Sequence, residues 1–130
     1  MIKTFIIASL YFIIIDLTAI NLFIAKIYQT NLPEYVKVDF KAIPAILFYV
    51  IYLIGLLHFS ILPNKDYSIT KALISGGMYG LCTYSTYALT VYAVMNIFNL
   101  NIVVSDVSWG IILSASVSAL TVLTLSNLFN

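Results

Sequence analysis

The chain has 130 residues, of which 62% are hydrophobic and only 8% are charged. Together with a mean hydropathy of +1.06, this composition argues against a water-soluble domain and predicts an integral membrane protein. The net charge of +1 and the absence of Arg argue against nucleic-acid binding. Because one bilayer crossing takes roughly 20 residues, the length accommodates four crossings and no separate soluble domain. We therefore expect one transmembrane domain over residues 1–130.

The first two apolar segments predict two transmembrane helices. Residues 4–27 form the first segment, and the polar residues 28–41 after it predict a loop. Residues 44–62 form the second, which begins at Pro44. Proline suits a first helical turn because an N–H group at that position would be unpaired. We expect this helix to stop before a turn at residues 63–66.

The third and fourth apolar segments, residues 70–97 and 108–128, predict two further helices. Ser105 and Asp106 precede the fourth segment as N-caps, since a side-chain oxygen there accepts from the first unpaired backbone amides. Continuous apolar segments of this length are typical of helices, whereas barrel strands are shorter and alternate in polarity. The sequence therefore predicts an all-α integral membrane protein, a four-helix bundle.

The lysines do not fix the orientation of this bundle. Under the positive-inside rule, loops rich in Lys lie in the cytoplasm, but the six lysines divide evenly between the two sides. Only the free N-terminal amine favours placing both termini in the cytoplasm. The two groups are Lys3, Lys65 and Lys71 on one side, and Lys26, Lys37 and Lys41 on the other.

Asp16 is the strongest functional candidate, because it lies in the middle of the first apolar segment. A carboxyl group at the centre of a bilayer costs about 2.5–3.5 kcal/mol on insertion scales, and such residues usually face a helix bundle or a water-filled cavity. No helix-capping role is available in mid-span. Asp16 therefore either handles a ligand or proton, or bonds structurally to a hydroxyl on another helix.

Hydroxyl groups on the third helix are candidate partners for Asp16. Thr83, Tyr87 and Thr90 share one helical face, where they would line a polar interior or bond to Asp16. Alternatively, the hydroxyls bond back to carbonyls of their own helix. For Trp109, interfacial anchoring competes with packing inside the bundle. The candidate binding or proton-handling residues are Asp16, Tyr52, Thr83, Tyr84, Tyr87, Thr90, Asp106 and Trp109.

Small residues predict where helices pack closely. Lipid provides no hydrophobic drive for helices to associate, so close approach through small side chains has to hold a bundle together. Such residues recur at helical spacing on the third and fourth helices, and these faces are expected to meet within one chain or between chains. The packing candidates are Gly55, Gly76, Gly77, Gly80, Gly110, Ser114 and Ser118.

Enzymatic and metal chemistry have little support in the sequence. Cys82 is the only cysteine, so the chain has neither an intrachain disulfide nor the paired Cys or His spacing of a zinc site. An intramembrane enzyme would use Asp16, His58 and Asp106 as acid and base, but the last two lie towards the membrane surfaces. No cofactor can be assigned from these residues.

Several short motifs occur along nearly the whole length and are specific only in combination. They are Ile15–Asp16 with Tyr28, Phe48–Tyr52 with Gly55, Pro63, Gly77, Gly80, Tyr84, Thr86–Thr90 and Asp106–Gly110. Through these motifs the chain resembles the DUF2177 family, small four-helix bacterial membrane proteins of unknown function.

The resemblance implies a bacterial inner-membrane location and the four-helix topology, but it supplies no reaction. Three positions depart from the family pattern. Ala88 and Val91 stand where Asp and Asn are expected in the third helix, and Ala19 stands where a Trp is expected. If the family's task uses an Asp on the third helix, this member has lost that task or performs a reduced version of it.

Two hypotheses follow. The first is a small transporter or a ligand- or proton-handling carrier that uses Asp16, and a chain of this size would have to dimerise to enclose a path. Small multidrug-resistance transporters share its length and an acidic residue in the first helix, which is an analogy of fold alone. The second hypothesis is a structural or accessory protein that packs against partner helices in the bilayer through its small residues.

Overall fold

The computed structural model describes residues 2–35, 41–64 and 68–129, and these residues form four helices. Three of the helices are long and apolar enough to cross a membrane. The remaining helix, the third in chain order, is also long enough, but its Gly and hydroxyl side chains make it less apolar. It packs extensively against the fourth helix. The all-α membrane bundle is thus confirmed, with helices α1 (Ile2–Asn31), α2 (Ala42–Asn64), α3 (Ile69–Val94) and α4 (Leu100–Phe129).

Helix α1 continues four residues beyond the predicted boundary, so the prediction of a loop starting at residue 28 was wrong. The backbone N–H of Leu32 still bonds to the carbonyl of Tyr28 at 2.9 Å, and the Asn31 side chain bonds to the carbonyl of Ile27. Leu32 itself is extended. It precedes Pro33, whose ring disfavours helical backbone in the preceding residue. Proline, rather than the polarity of the segment, ends the helix.

Helix α4 begins eight residues before the predicted start at residue 108. Asn99 is its N-cap: Oδ1 of Asn99 accepts a hydrogen bond from the backbone N–H of Ile102 at 3.1 Å. Ser105 and Asp106 therefore lie inside the helix, and the prediction that they cap it was wrong. The Ser105 hydroxyl donates instead to the carbonyl of Asn101 at 2.7 Å, within the helix.

The predicted ends of α2 and α3 agree with the structure only in part. Pro44 lies in the first turn of α2 as expected, but the helix continues through Pro63 to Asn64 rather than stopping before residue 63. The Asn64 side chain donates to the Ser60 carbonyl at 2.7 Å and so stabilises this last turn. Residues 65 and 66 of the expected turn lie outside the described residues. Helix α3 ends at Val94, three residues earlier than expected.

Helices α3 and α4 are antiparallel and pack through small residues of the same chain. A Cβ atom on Gly76 would lie 2.5 Å from both the Ser114 carbonyl and the Ser118 hydroxyl, and one on Gly80 would overlap the Gly110 carbonyl. Only glycine allows the two backbones this close. The question of whether these faces meet within one chain or between chains is therefore answered by an intrachain contact.

Gly77, Gly110 and Gly55 contribute to packing to different degrees. A Cβ on Gly77 would make ordinary contacts of 3.6 Å or more. On Gly110 it would overlap the ring of Tyr84, and on Gly55 it would overlap the hydroxyl of Tyr79. Glycine is thus required at Gly110, where the overlap includes Cβ and Cγ of Tyr84, whereas at Gly55 it involves the end of the Tyr79 side chain, which can shift.

A π-helical turn at Ile20–Ile24 sets the register of α1. Twelve residues separate Asp16 from Tyr28, and at about 100° per residue a regular α-helix would place them about 120° apart. A π turn accommodates one additional residue. The effective separation is then eleven residues, which brings the two side chains within about 20° of each other. Asp16 and Tyr28 therefore share one face of α1.

Candidate ligand-binding site

The four helices surround a cavity of about 570 Å³. This volume is within the range of about 300–1,000 Å³ that is typical of small-molecule sites. The lining comes from the second half of α1, the first half of α2, the second half of α3 and the first half of α4. Its members are Asp16, Ile20, Ile24, Tyr28, Pro44, Ala45, Phe48, Tyr52, Thr83, Tyr84, Tyr87, Asp106 and Trp109.

Asp16 lines the cavity from the middle of α1. Only 6% of its surface is exposed. Each carboxyl oxygen accepts one hydrogen bond from a different helix: Oδ2 from the Tyr49 hydroxyl at 2.8 Å, and Oδ1 from the indole N–H of Trp109 at 3.1 Å. These donors satisfy the carboxyl group without supplying a positive charge.

Asp106 is the second buried carboxyl group of the cavity, with 7% of its surface exposed. The Tyr28 hydroxyl donates to its Oδ2 atom. The π turn in α1 makes this contact possible, because it rotates Tyr28 onto the face that carries Asp16. Asp106 and Trp109 are one turn apart on α4, so this helix contacts α1 at both carboxyl groups.

Six of the thirteen lining residues are aromatic, and several of the rings contact one another. Tyr52 packs edge-on against Tyr84 with ring centroids 5.8 Å apart, and its hydroxyl bonds to that of Ser114. Phe98, in the connection between α3 and α4, packs edge-on against both Tyr28 and Tyr87 at 5.9 Å. The aromatic lining is therefore held by packing at both ends.

The cavity has a mouth beside the first half of α2. Pro44, Phe48 and Tyr87 line the cavity yet are exposed at the surface. The backbone of α2 contacts α3 mainly through the π turn at Leu57–Ile61, in the second half of α2. Towards its N-terminus α2 is therefore separated from α3, and the mouth lies in the region of that separation.

Seven of the eight candidate binding residues line this one cavity, although they come from all four helices. Thr90 is the exception: it is exposed and lies outside the lining. The expected hydroxyl partner of Asp16 on α3 is not found, because Tyr49 and Trp109 fill that role. Thr83 lines the cavity, but its hydroxyl donates to the Tyr79 carbonyl of its own helix at 2.8 Å.

The other candidates are placed as follows. Trp109 packs inside the bundle, edge-on against Phe23 at 5.6 Å, rather than anchoring at an interface. His58 is exposed and packs against Phe59, so it does not share the cavity with the two carboxyl groups. Within the described parts of the chain, no group of three His, Cys, Asp or Glu side chains could hold a metal ion.

Sequence reasoning missed Tyr49 and Tyr28 as the donors to the two carboxyl groups. In the sequence, Tyr49 is one of two tyrosines on α2, and nothing in the pattern assigns it to Asp16. The sequence predicts a loop at Tyr28, and without the π turn its spacing from Asp16 predicts a different face. The family motif that pairs Asp16 with Tyr28 was the one signal that indicated a connection between them.

The comparisons with known proteins identify the family. A family model described as a predicted membrane protein, DUF2177, matches residues 1–123. The chain belongs to the DUF2177 family. No curated protein and no solved structure matches this DUF2177 member.

Two of the positions at which the resemblance leads us to expect other residues are buried. Ala88 is fully buried on α3, one turn after Tyr84, and Ala19 is 3% exposed on α1. The Asp and the Trp that the resemblance leads us to expect at these two positions would therefore lie in the interior, on helices that line the cavity. Asp16 and Asp106 remain as the carboxyl groups that face it.

Proposed function

We propose that this protein is a membrane-embedded carrier that binds a small ligand in the cavity and uses Asp16 and Asp106 to handle the ligand or a proton. The single observation that carries this proposal is that two buried carboxyl groups, from different helices, line one cavity of ligand size. A carboxyl group inside a membrane is costly, so two of them beside a cavity favour a functional role over a purely structural one.

Asp16 and Asp106 lie at different levels along the bundle, and this difference supports handling of a ligand or proton along a path. Asp16 is in the middle of α1, whereas Asp106 is six residues from the start of α4, about 9 Å along that helix. The connected ends of α1 and α2 lie on the same side of the bundle as those of α3 and α4. If both termini are cytoplasmic in a bacterial inner membrane, as we propose, Asp106 is on the external side of Asp16.

The alternative, an accessory protein that packs against partner helices, has lost its main support. It depended on the small residues of α3 and α4, and these face each other within one chain. A partner would therefore have to use another surface. Binding in the cavity needs only a single chain, while a dimer remains part of the transport proposal, because a chain this small has to pair to enclose a complete path.

The proposal is tested by asking whether the cavity is open to water. Cys82→Ser removes the only cysteine, and Thr83→Cys then places a thiol in the cavity lining. In proteoliposomes, this thiol should react with a membrane-impermeant methanethiosulfonate reagent. Val117→Cys in the same background is the matched control, because Val117 is fully buried outside the lining and should not react.

Both variants should react completely after denaturation. If Thr83→Cys is as unreactive as Val117→Cys in the folded protein, the cavity is dry and the carrier proposal is wrong. If Thr83→Cys reacts and Val117→Cys does not, water reaches the carboxyl groups, as ligand or proton handling requires.

A further inference from the structure

We infer that the cavity selects lipophilic organic cations, in which an ammonium or phosphonium centre carries apolar or aromatic substituents. This inference rests on the proposed ligand-binding function and names its substrate class. Charge, aromatic lining and the position of the mouth each support it.

The first argument is charge. None of the thirteen described residues that line the cavity is Lys, Arg or His, whereas two are Asp. The hydrogen bonds that these carboxyl groups receive come from tyrosine hydroxyls and an indole, all uncharged donors. A buried carboxylate is stabilised most by an opposite charge. A bound cation would supply the charge that the lining lacks, whereas an anion would be repelled.

The second argument is an unused acceptor. Tyr28 donates to Oδ2 of Asp106, but within the described parts of the chain no donor bonds to Oδ1. Among the described residues, Thr121 Oγ1 is the only fully buried side-chain polar atom without a partner, so Oδ1 of Asp106 keeps some accessible surface. The Asp106 side chain is nine-tenths buried and lines the cavity. The remaining oxygen is therefore available to a ligand that brings a donor or a positive charge.

The third argument is the aromatic lining. Tyr28, Phe48, Tyr52, Tyr84, Tyr87 and Trp109 contribute rings to the same cavity. Aromatic faces carry negative electrostatic potential and attract cations, including those that cannot donate hydrogen bonds. A small inorganic cation would leave most of this apolar surface empty. A cation with hydrocarbon or aromatic substituents would place its charge near the carboxyl groups and its substituents against the aromatic rings.

The mouth indicates why the cation should be lipophilic. Pro44 and Phe48 are exposed, and so are apolar residues of the same segment of α2, Ile43, Ile46 and Leu47. The mouth is therefore bordered by a helix surface suited to acyl chains. A ligand that partitions into the bilayer could approach between α2 and α3, whereas a strongly hydrated ion would have to give up its water first.

The test uses two probes of the same shape and opposite charge, tetraphenylphosphonium and tetraphenylborate. Trp109 is the only tryptophan and lines the cavity, so its fluorescence in detergent-solubilised protein reports occupancy directly. Free N-acetyltryptophanamide in the same detergent corrects for quenching in solution. We expect the phosphonium to bind with a dissociation constant about tenfold or more below that of the borate, the selectivity of one charged contact.

Asp16→Asn and Asp106→Asn keep the shape of each side chain and remove its charge. Each should weaken phosphonium binding about tenfold and leave borate binding unchanged or stronger. Glu34→Gln is the matched control, because it removes an exposed carboxylate outside the cavity lining, and it should leave both affinities unchanged. Phe48→Leu should weaken phosphonium binding about fivefold through the loss of one aromatic face.

The comparison of the two probes on the unaltered protein decides the question even if an Asp variant fails to fold. Equal binding of both probes, or tighter binding of the borate, would overturn cation selectivity while leaving the carrier proposal to the thiol experiment. A fluorescence response to neither probe, with no retention in equilibrium dialysis, would also overturn it. Selective phosphonium binding that is weakened in both Asp variants and unchanged in Glu34→Gln would support it.

Discussion

The indole N–H of Trp109 donates to Oδ1 of Asp16 at 3.1 Å and so joins the first half of α4 to the middle of α1. The Tyr49 hydroxyl donates to the other oxygen from α2. A single carboxyl group in the cavity lining therefore connects three helices. This geometry combines both roles considered for Asp16, since the residue that faces the cavity also holds the surrounding helices in place.

We expect Tyr49→Phe to lower the free energy of unfolding by about 1–3 kcal/mol, because it leaves a buried carboxyl oxygen without its donor. Tyr92→Phe is the matched control: it removes the same hydroxyl from an exposed side chain on α3, and it should change stability by less than about 0.5 kcal/mol. Thermal unfolding in detergent measures both. Equal losses in the two variants would show that the bond to Asp16 adds no stability.

The π turn in α1 predicts that one particular deletion is tolerated. Leu22 is exposed and lies within the turn. Its removal would convert the turn to regular α-helix and keep Asp16 and Tyr28 in register, at a cost of about 1 kcal/mol or less. Removal of the exposed Leu10 would instead rotate the start of α1 by about 100° and take the buried Ala8 off the interior face.

The Leu10 deletion should therefore cost about 2 kcal/mol or more. Thermal unfolding compares the two single deletions directly, and phosphonium binding checks whether the cavity survives. If both deletions lower stability equally, the π turn does not absorb the additional residue, and the explanation of how Tyr28 reaches Asp106 is wrong.

The apolar segments predicted the four helices because membrane insertion depends on the length and hydropathy of each segment, which are local properties. Their ends were harder to place, since polar residues such as Tyr28 and Asp106 resembled loop or cap residues. In the structure they lie within helices and bond to each other across the bundle. A pairing of residues 78 positions apart depends on the whole fold and on one π turn, neither of which hydropathy reveals.

Small-residue spacing predicted the close contact of α3 and α4, but it did not rank the glycines. The structure does so. Gly80→Ala would place a methyl group against the Gly110 carbonyl and 2.8 Å from the Ser114 hydroxyl, and we expect a loss of about 1–3 kcal/mol. Gly77→Ala makes only ordinary contacts and gains up to about 1 kcal/mol of helix propensity.

Thermal unfolding of these two variants gives a matched comparison, because the same methyl group is added on neighbouring positions of α3. Gly80→Ala should unfold at a lower temperature than the unaltered protein, and Gly77→Ala at the same temperature or higher. A larger loss for Gly77→Ala would contradict the observed approach of the two helices.

Thr121 and Thr124 on α4 lead to predictions of opposite sign for one and the same substitution. Oγ1 of Thr121 is buried and has no hydrogen-bond partner among the described residues. The hydroxyl of Thr124 bonds to that of Tyr11 at 2.6 Å and to the Leu120 carbonyl at 2.8 Å. Valine has the shape of threonine without the hydroxyl, so the substitution isolates the polar contribution at each position.

Thr121→Val should raise the free energy of unfolding by about 1 kcal/mol, because it removes a buried polar atom that no partner compensates. Thr124→Val should lower it by about 1–2 kcal/mol, because the Tyr11 hydroxyl loses its partner. Both values follow from thermal unfolding in the same detergent. A loss of stability in Thr121→Val as large as that in Thr124→Val would mean that the Thr121 hydroxyl has a partner in the membrane, such as a bound water or a second chain.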